Sequence, residues 1–382
     1  MNSYRVSIAR AWVMLMLGAA VLATAPDALS VQVNWTGSVN NLWSNSGNWT
    51  GATTGNHVVI YGGPNLPVLL DVSDNIEKIY VDNGSTLNIG PGVTLNAMGG
   101  LSATGPFTAT SSVISQPGGV VNLKQIYMAD GTGSDDRYDL SGNGQATFGP
   151  SLNVIATRGT ANVNVSDNAV LTLSGNTYLG GYVSSSHAGI GTITQTGGTI
   201  NVTANIQNGF GTGTLNLNGG TFNFTGRSIG VDKLNLGTPA GSSAALALGA
   251  GQTLVADDTL AGSGSVTVTQ TGGEIRTGRL TLARTGGTAV FNLPGGDFHQ
   301  DSSLLVANHE RVFVGGHNDS GAHGTVNQTG GTFNVDQVLF IGFGTADTGE
   351  YNLTDGELHV GTWISMRYGT GTFNQSGGLV DV

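Results

Sequence analysis

The chain has no cysteine among its 382 residues, so it can form neither disulfides nor a thiolate metal site, and its stability must come from packing. It is also poor in charge. Charged residues make up 10% of the chain, and Lys78, Lys124 and Lys233 are its only lysines. With a net charge of −11 it is a poor partner for polyanions, which argues against nucleic acid and against acidic polysaccharides unless a cation bridges them. No P-loop and no G-x-S-x-G elbow is present. Long apolar runs are missing except near the N-terminus, where Arg5 and Arg10 precede AWVMLMLGAAVLATA. That run is too short for a membrane span and small residues follow it. Residues 1–30 therefore read as a secretory signal peptide cleaved after Ser30, which implies a secreted or surface-displayed chain with no transmembrane segment once mature.

Glycine is plentiful, at 63 residues, and with Thr, Asn and Ser it disfavours helix interiors. Seven copies of one short pattern fill the C-terminal half: ITQTGGTINV from Ile193, LNLNGGTFNF from Leu215, VTQTGGEIRT from Val268, FNLPGGDFHQ from Phe291, VNQTGGTFNV from Val326, YNLTDGELHV from Tyr351 and FNQSGGLVDV from Phe373. Each reads as a short strand, a tight Gly turn and a second alternating strand. A unit this small cannot bury its own apolar face, so copies must stack. The second turn glycine recurs at Gly198, Gly220, Gly273, Gly296, Gly331, Gly356 and Gly378, at intervals of 22, 53, 23, 35, 25 and 22 residues. The 53 reads as about two coils and the 35 as one coil with an insertion. A further apolar stretch, such as VLFIG from Val338, WISM from Trp363 or LTLA from Leu280, adds a third strand to each coil. The expected fold is all-β: a parallel β-helix of three short strands per 22–25-residue coil. Phe222, Phe333 and Leu358 should point into the bore, and the outward Thr and Asn should form ladders along the axis.

Residues 31–60 differ from the repeats and hold Trp35, Trp43 and Trp49. They read as a Trp-rich cap over the open end of a solenoid that occupies residues 61–382. If exposed, the same indoles would make a carbohydrate-stacking site. The WTG, NLWS and GNWT strings, followed by GTFNQSGG-type coils, resemble bacterial autotransporter-associated β-strand repeat proteins and related surface proteins ending in a PEP-CTERM sorting signal. The resemblance covers nearly all of residues 31–382. It implies a right-handed parallel β-helix at the cell surface or beyond, with an adhesive or structural role and with glycans or other surface proteins as partners. Both patterns would continue past Val382, which stands inside a repeat, so the chain reads as truncated at its C-terminus.

The rival reading is a carbohydrate-active β-helix, either a polysaccharide lyase or a glycoside hydrolase. Glu274 and Arg276 in one copy, with Asp297 and His299 in the next, could stand about 5 Å apart on one outer face, and a carboxylate pair is what glycoside hydrolysis requires. A polar outer face is equally what a solvated strand presents, and the non-catalytic reading is preferred. His299, His309, His317 and His323, with Asp319, offer imidazole and carboxylate ligands but match no metal-binding spacing. Asp-rich connectors such as DGTGSDD from Asp130 are the calcium candidates, while the calcium-binding nonapeptide is absent. An ice- or crystal-binding ladder of Thr192, Thr194, Thr196 and Thr199 is broken elsewhere by Asn, Glu, Asp and His.

Overall fold

A computed structural model describes residues 30–103, 111–182, 185–304, 311–317 and 321–382. The expected signal segment lies outside them apart from Ser30, as do His309 and Asp319. The described chain is all-β, with parallel strands wound into a β-solenoid of about 13 turns. Its helical elements are the three-residue 3-10 turns Ser46–Asn48, Ser185–His187 and Ser302–Leu304. Among the described residues no helix is long and apolar enough to cross a membrane.

Each turn passes through three parallel ladders, here I, II and III in chain order. Ladder I contains Asp135–Leu140, Thr160–Val165, Ile190–Gln195 and Thr212–Leu217. Ladder II contains Gln145–Phe148, Val170–Leu173, Thr199–Val202 and Thr221–Phe224. Ladder III contains Asn153–Ile155, Thr177–Leu179 and Ile206–Asn208. Its first rungs lie in the Trp-rich segment, where Gln32–Asn34 pairs with His57–Tyr61. Winding therefore begins at Gln32, inside the segment read as a cap.

Side chains alternate along every rung, so one set fills the bore and the other faces out. Ile275, Phe298, Phe333 and Leu358 form one inner column, rung upon rung. Phe298 and Phe333 stack at 4.2 Å with their planes 22° apart. On the outer side Asn292, Asn327, Asn352 and Asn374 form an amide column, each Nδ2 donating to the preceding Oδ1 at 2.9–3.0 Å. Phe222 points inward as expected and packs against the core, but is only partly buried. The cause is local. Among the described residues no rung pairs onto the far edge of Thr221–Phe224, and the next strand, Ser243–Leu248, pairs onward with Ser265–Gln270.

That gap coincides with a shift in phase. Up to residue 224 the Gly-turn motif joins ladder I to ladder II, as in Ile190–Gln195 followed by Thr199–Val202. From Ser243 onward the same motif joins ladder II to ladder III, as in Thr288–Leu293 followed by Asp297–Gln300. The interval of 53 residues contains an unmarked turn at Gly251, with φ of 75°. It thus splits into about 31 and 22 residues. The excess over one coil is about a third of a turn, which rotates the motif by one ladder. Rungs of III and I then fuse into single bent strands of nine residues, Ser228–Leu236, Thr253–Ala261 and Glu274–Leu282.

Two of these bends carry an acid, Asp232 and Asp257, one coil apart. Burial first, then the neighbouring Asp232 carboxylate and its hydrogen bond, push the Asp257 carboxyl up to about 6. The folded chain thus holds this proton more tightly than the unfolded chain. The resulting stabilisation is present below about pH 4 and is lost as pH rises through about 6. Asp257→Asn is expected to flatten that part of the urea-midpoint profile and to raise the midpoint at neutral pH.

The Gln-x-Gly-Gly signature, QTGG in three copies and QPGG at Gln116, also has a physical cause. Gln116, Gln195, Gln270 and Gln328 end their strands pointing inward, at 0–1% exposure. Each Nε2 donates to the turn-glycine carbonyl at 3.2 Å and to a carbonyl of the next coil at 2.9 Å, fastening each turn to its neighbour. The Oε1 of Gln116 accepts from the Tyr138 hydroxyl, and that of Gln328 from the Tyr351 hydroxyl, both at 2.6 Å. Gln270 Oε1 has no partner, because Phe291 occupies the tyrosine position in the next coil. Phe291→Tyr should supply the missing hydroxyl and stabilise the fold by about 1 kcal/mol, with Tyr351→Phe costing a similar amount, both read by denaturant midpoint.

Candidate functional site

The ladder brings the four candidate catalytic residues together. Glu274 is in register with Asp297, and Arg276 with His299, on neighbouring rungs of ladder III. Their partners show what this cluster does. Arg276 Nη2 donates to Asp301 Oδ2, and its Nε lies 3.6 Å from Glu274. His299 Nε2 sits 2.8 Å from Asp336 Oδ1. Asp301 also accepts from the Ser303 N–H at 2.9 Å and its hydroxyl at 2.6 Å, while Asp336 accepts from the Ser302 N–H at 2.9 Å. Ser302 and Ser303 begin the insertion behind the 35-residue interval. Arg276 and His299 thus belong to a clasp that holds the start of the insertion, Ser302 and Ser303, against the neighbouring coils.

The two carboxylates that hold the clasp, Asp301 and Asp336, are not placed as general acids. Burial alone would raise the Asp301 carboxyl, but Ser303 and Arg276 outweigh it and hold it down to about 2. Asp336 is likewise lowered: the Ser302 N–H and His299 overcome the opposing effect of burial. A glycosidase acid needs the opposite shift. The Asp301 side chain is 8% exposed. Replacing Arg276 would leave that charge without its cation, so exchanging all four candidates at once would weaken the fold as well as remove charge.

The Trp-rich segment is placed differently from a sugar platform. Trp35, Trp43 and Trp49 are only 6%, 3% and 7% exposed. Their rings meet edge to face, Trp35 with Trp49 at 4.8 Å and Trp43 with Trp49 at 4.7 Å. Trp43 Nε1 donates to Asp74 Oδ2 at 3.0 Å, and Trp49 Nε1 to the Trp43 carbonyl at 2.8 Å. Exposed indoles were the premise of the stacking site. These three are interior, because the turns around them fold their rings onto one another and onto Asp74.

The metal candidates are dispersed. His299 is on ladder III, His323 opens a ladder II strand, and His317 packs edge-on against Phe313 at 4.4 Å. In DGTGSDD, Asp136 is buried and accepts from the Ser112 N–H at 3.0 Å and the Ala129 N–H at 2.7 Å. Asp130 lies 3.9 Å from Arg158, and Asp135 accepts from Asn162. Among the described residues no cluster of His and carboxylate side chains could hold a metal ion.

Sequence reasoning passed over the outer side of ladder I. There, a pocket of about 70 Å³ is lined by Leu260, Arg279, Thr281, Arg284 and His317. Beyond it an outward aromatic cluster stacks Phe313 on Phe340 at 5.1 Å, with Phe343 alongside. The signal available was VLFIG itself: an uninterrupted apolar run buries both faces of its strand, unlike the alternating copies. No protein-family model, curated protein or solved structure matches this chain.

Proposed function

We propose that this is a secreted or cell-surface repeat protein whose β-helix serves as an adhesive or structural scaffold, without catalysis of its own. The observation that carries this reading is the clasp: Arg276 and His299, two of the four residues standing where a glycan-active β-helix would need free catalytic groups, are engaged by Asp301 and Asp336, which also hold Ser303 and Ser302. The outer amide column supports it too, since it is a regular line of uncharged side chains. The basic, apolar and small-residue order of residues 1–30 supports export.

The test is a screen of plant, algal and bacterial polysaccharides for new reducing or unsaturated ends. Wild-type protein should release none. Turnover that disappears in Glu274→Gln or Asp297→Asn, two variants that leave Arg276 and Asp301 intact, would overturn the reading in favour of an enzyme.

A further inference from the structure

We infer that the pocket on ladder I is an oxyanion site that takes the acidic substituent of a polysaccharide, a uronate carboxylate or a sulfate ester. Its about 70 Å³ exceeds what a single water needs, so it has room for one such group. Among the described residues no carboxylate lines it. Arg279 binds Asp258 through Nε and one Nη2 hydrogen, which leaves three of its five N–H donors. Arg284 is exposed and, among the described residues, has no acidic partner. Thr281 is 4% exposed, and among the described residues its hydroxyl makes no hydrogen bond.

The backbone supports the assignment. Arg284 is held between Ala283 at φ 65° and Thr285 at φ 52°, the one place among the described residues where two non-glycine residues so close together are left-handed. That conformation is disfavoured for any residue with a Cβ, above all a β-branched one, and such outliers gather at ligand sites. An aromatic path leads away from the pocket. His317 lies 6.2 Å from Phe343, Phe343 lies 5.7 Å from Tyr368, and the Arg367 guanidinium sits 4.7 Å over the Tyr368 ring. Tyr368 is 60% exposed and offers a face for the sugar next to the anchored one.

The net charge of −11 does not oppose this. At physiological salt, charges are screened beyond about 8 Å, so the local guanidinium groups outweigh acids elsewhere on a rod on the order of 60 Å long. The inference rests on the scaffold reading, for which it names the ligand class.

The experiment is calorimetric titration of the full chain with dextran sulfate, polygalacturonate, neutral dextran and inorganic sulfate. At least one acidic polymer should bind. Arg284→Gln and Thr281→Val should each weaken it, the former by about tenfold or more. Tyr368→Ala should weaken polymer binding while leaving inorganic sulfate unaffected. Arg284 is exposed and contacts no acid among the described residues, so its variant should keep the fold, which circular dichroism checks. Unchanged binding in Arg284→Gln, equal binding of neutral dextran, or inorganic sulfate binding as tightly as the polymers would each overturn the inference. Failure here leaves the scaffold reading standing, and glycan turnover by the wild type would sink that reading without touching the pocket.

Discussion

Phe333→Asp is expected to cost at least about 4 kcal/mol and to leave most of the protein unfolded at modest urea concentration. Phe333 is 0% exposed. Its ring stacks on Phe298 at 4.2 Å and meets Tyr351 edge-on at 5.6 Å. Removing it opens a cavity in the bore, and the carboxylate put there has no cation to meet. Part of the loss should return in acid, because a buried Asp is easier to accommodate once protonated. Phe333→Leu keeps most of the volume and should cost only about 1–2 kcal/mol. Equal midpoints for the two variants would show that the column is not the core.

Gly331→Ala should cost roughly 2–4 kcal/mol, from two separable sources. The residue has φ of 66°, and an added Cβ would stand 2.3 Å from the Gly296 carbonyl oxygen one coil away. Gly251 has φ of 75° but nothing within 4 Å of the same added atom. Gly251→Ala therefore measures the backbone cost alone, about 1–2 kcal/mol. The difference between the two urea midpoints isolates the close approach of neighbouring coils. If the variants behave alike, the turn glycines serve conformation only.

Much of the winding was legible because its causes are local and periodic. The turn glycines mark the coil period wherever a left-handed residue is needed, and the alternation of Phe298 or Phe333 with polar neighbours marks the bore. The register of Glu274 with Asp297 followed from aligning copies. What stayed hidden depends on partners outside the repeat. The Gly251 turn lacks the double glycine, so the phase shift was concealed inside a 53-residue interval, and with it the exposed edge beside Phe222. Asp301 and Asp336 lie beyond the aligned positions, so Arg276 and His299 looked free of partners when they were engaged. The buried Gln residues carried a recurring signal, QTGG, whose meaning depends on where the next coil's carbonyls fall.

The interrupted ladder II has a mechanical consequence. A rod of stacked coils resists bending and extension through its inter-coil hydrogen bonds, which act in parallel around the cross-section. Between Thr221–Phe224 and Ser243–Leu248 the load passes through ladders I and III alone. Side-chain bonds assist there, with Gln252 Nε2 donating to the Phe224 and Gly226 carbonyls at 2.9 and 3.3 Å. Under tension this level is where the rod should yield first, opening on the side of ladder II, while the uniformly laddered coils on either side move as stiff segments about a built-in compliant joint.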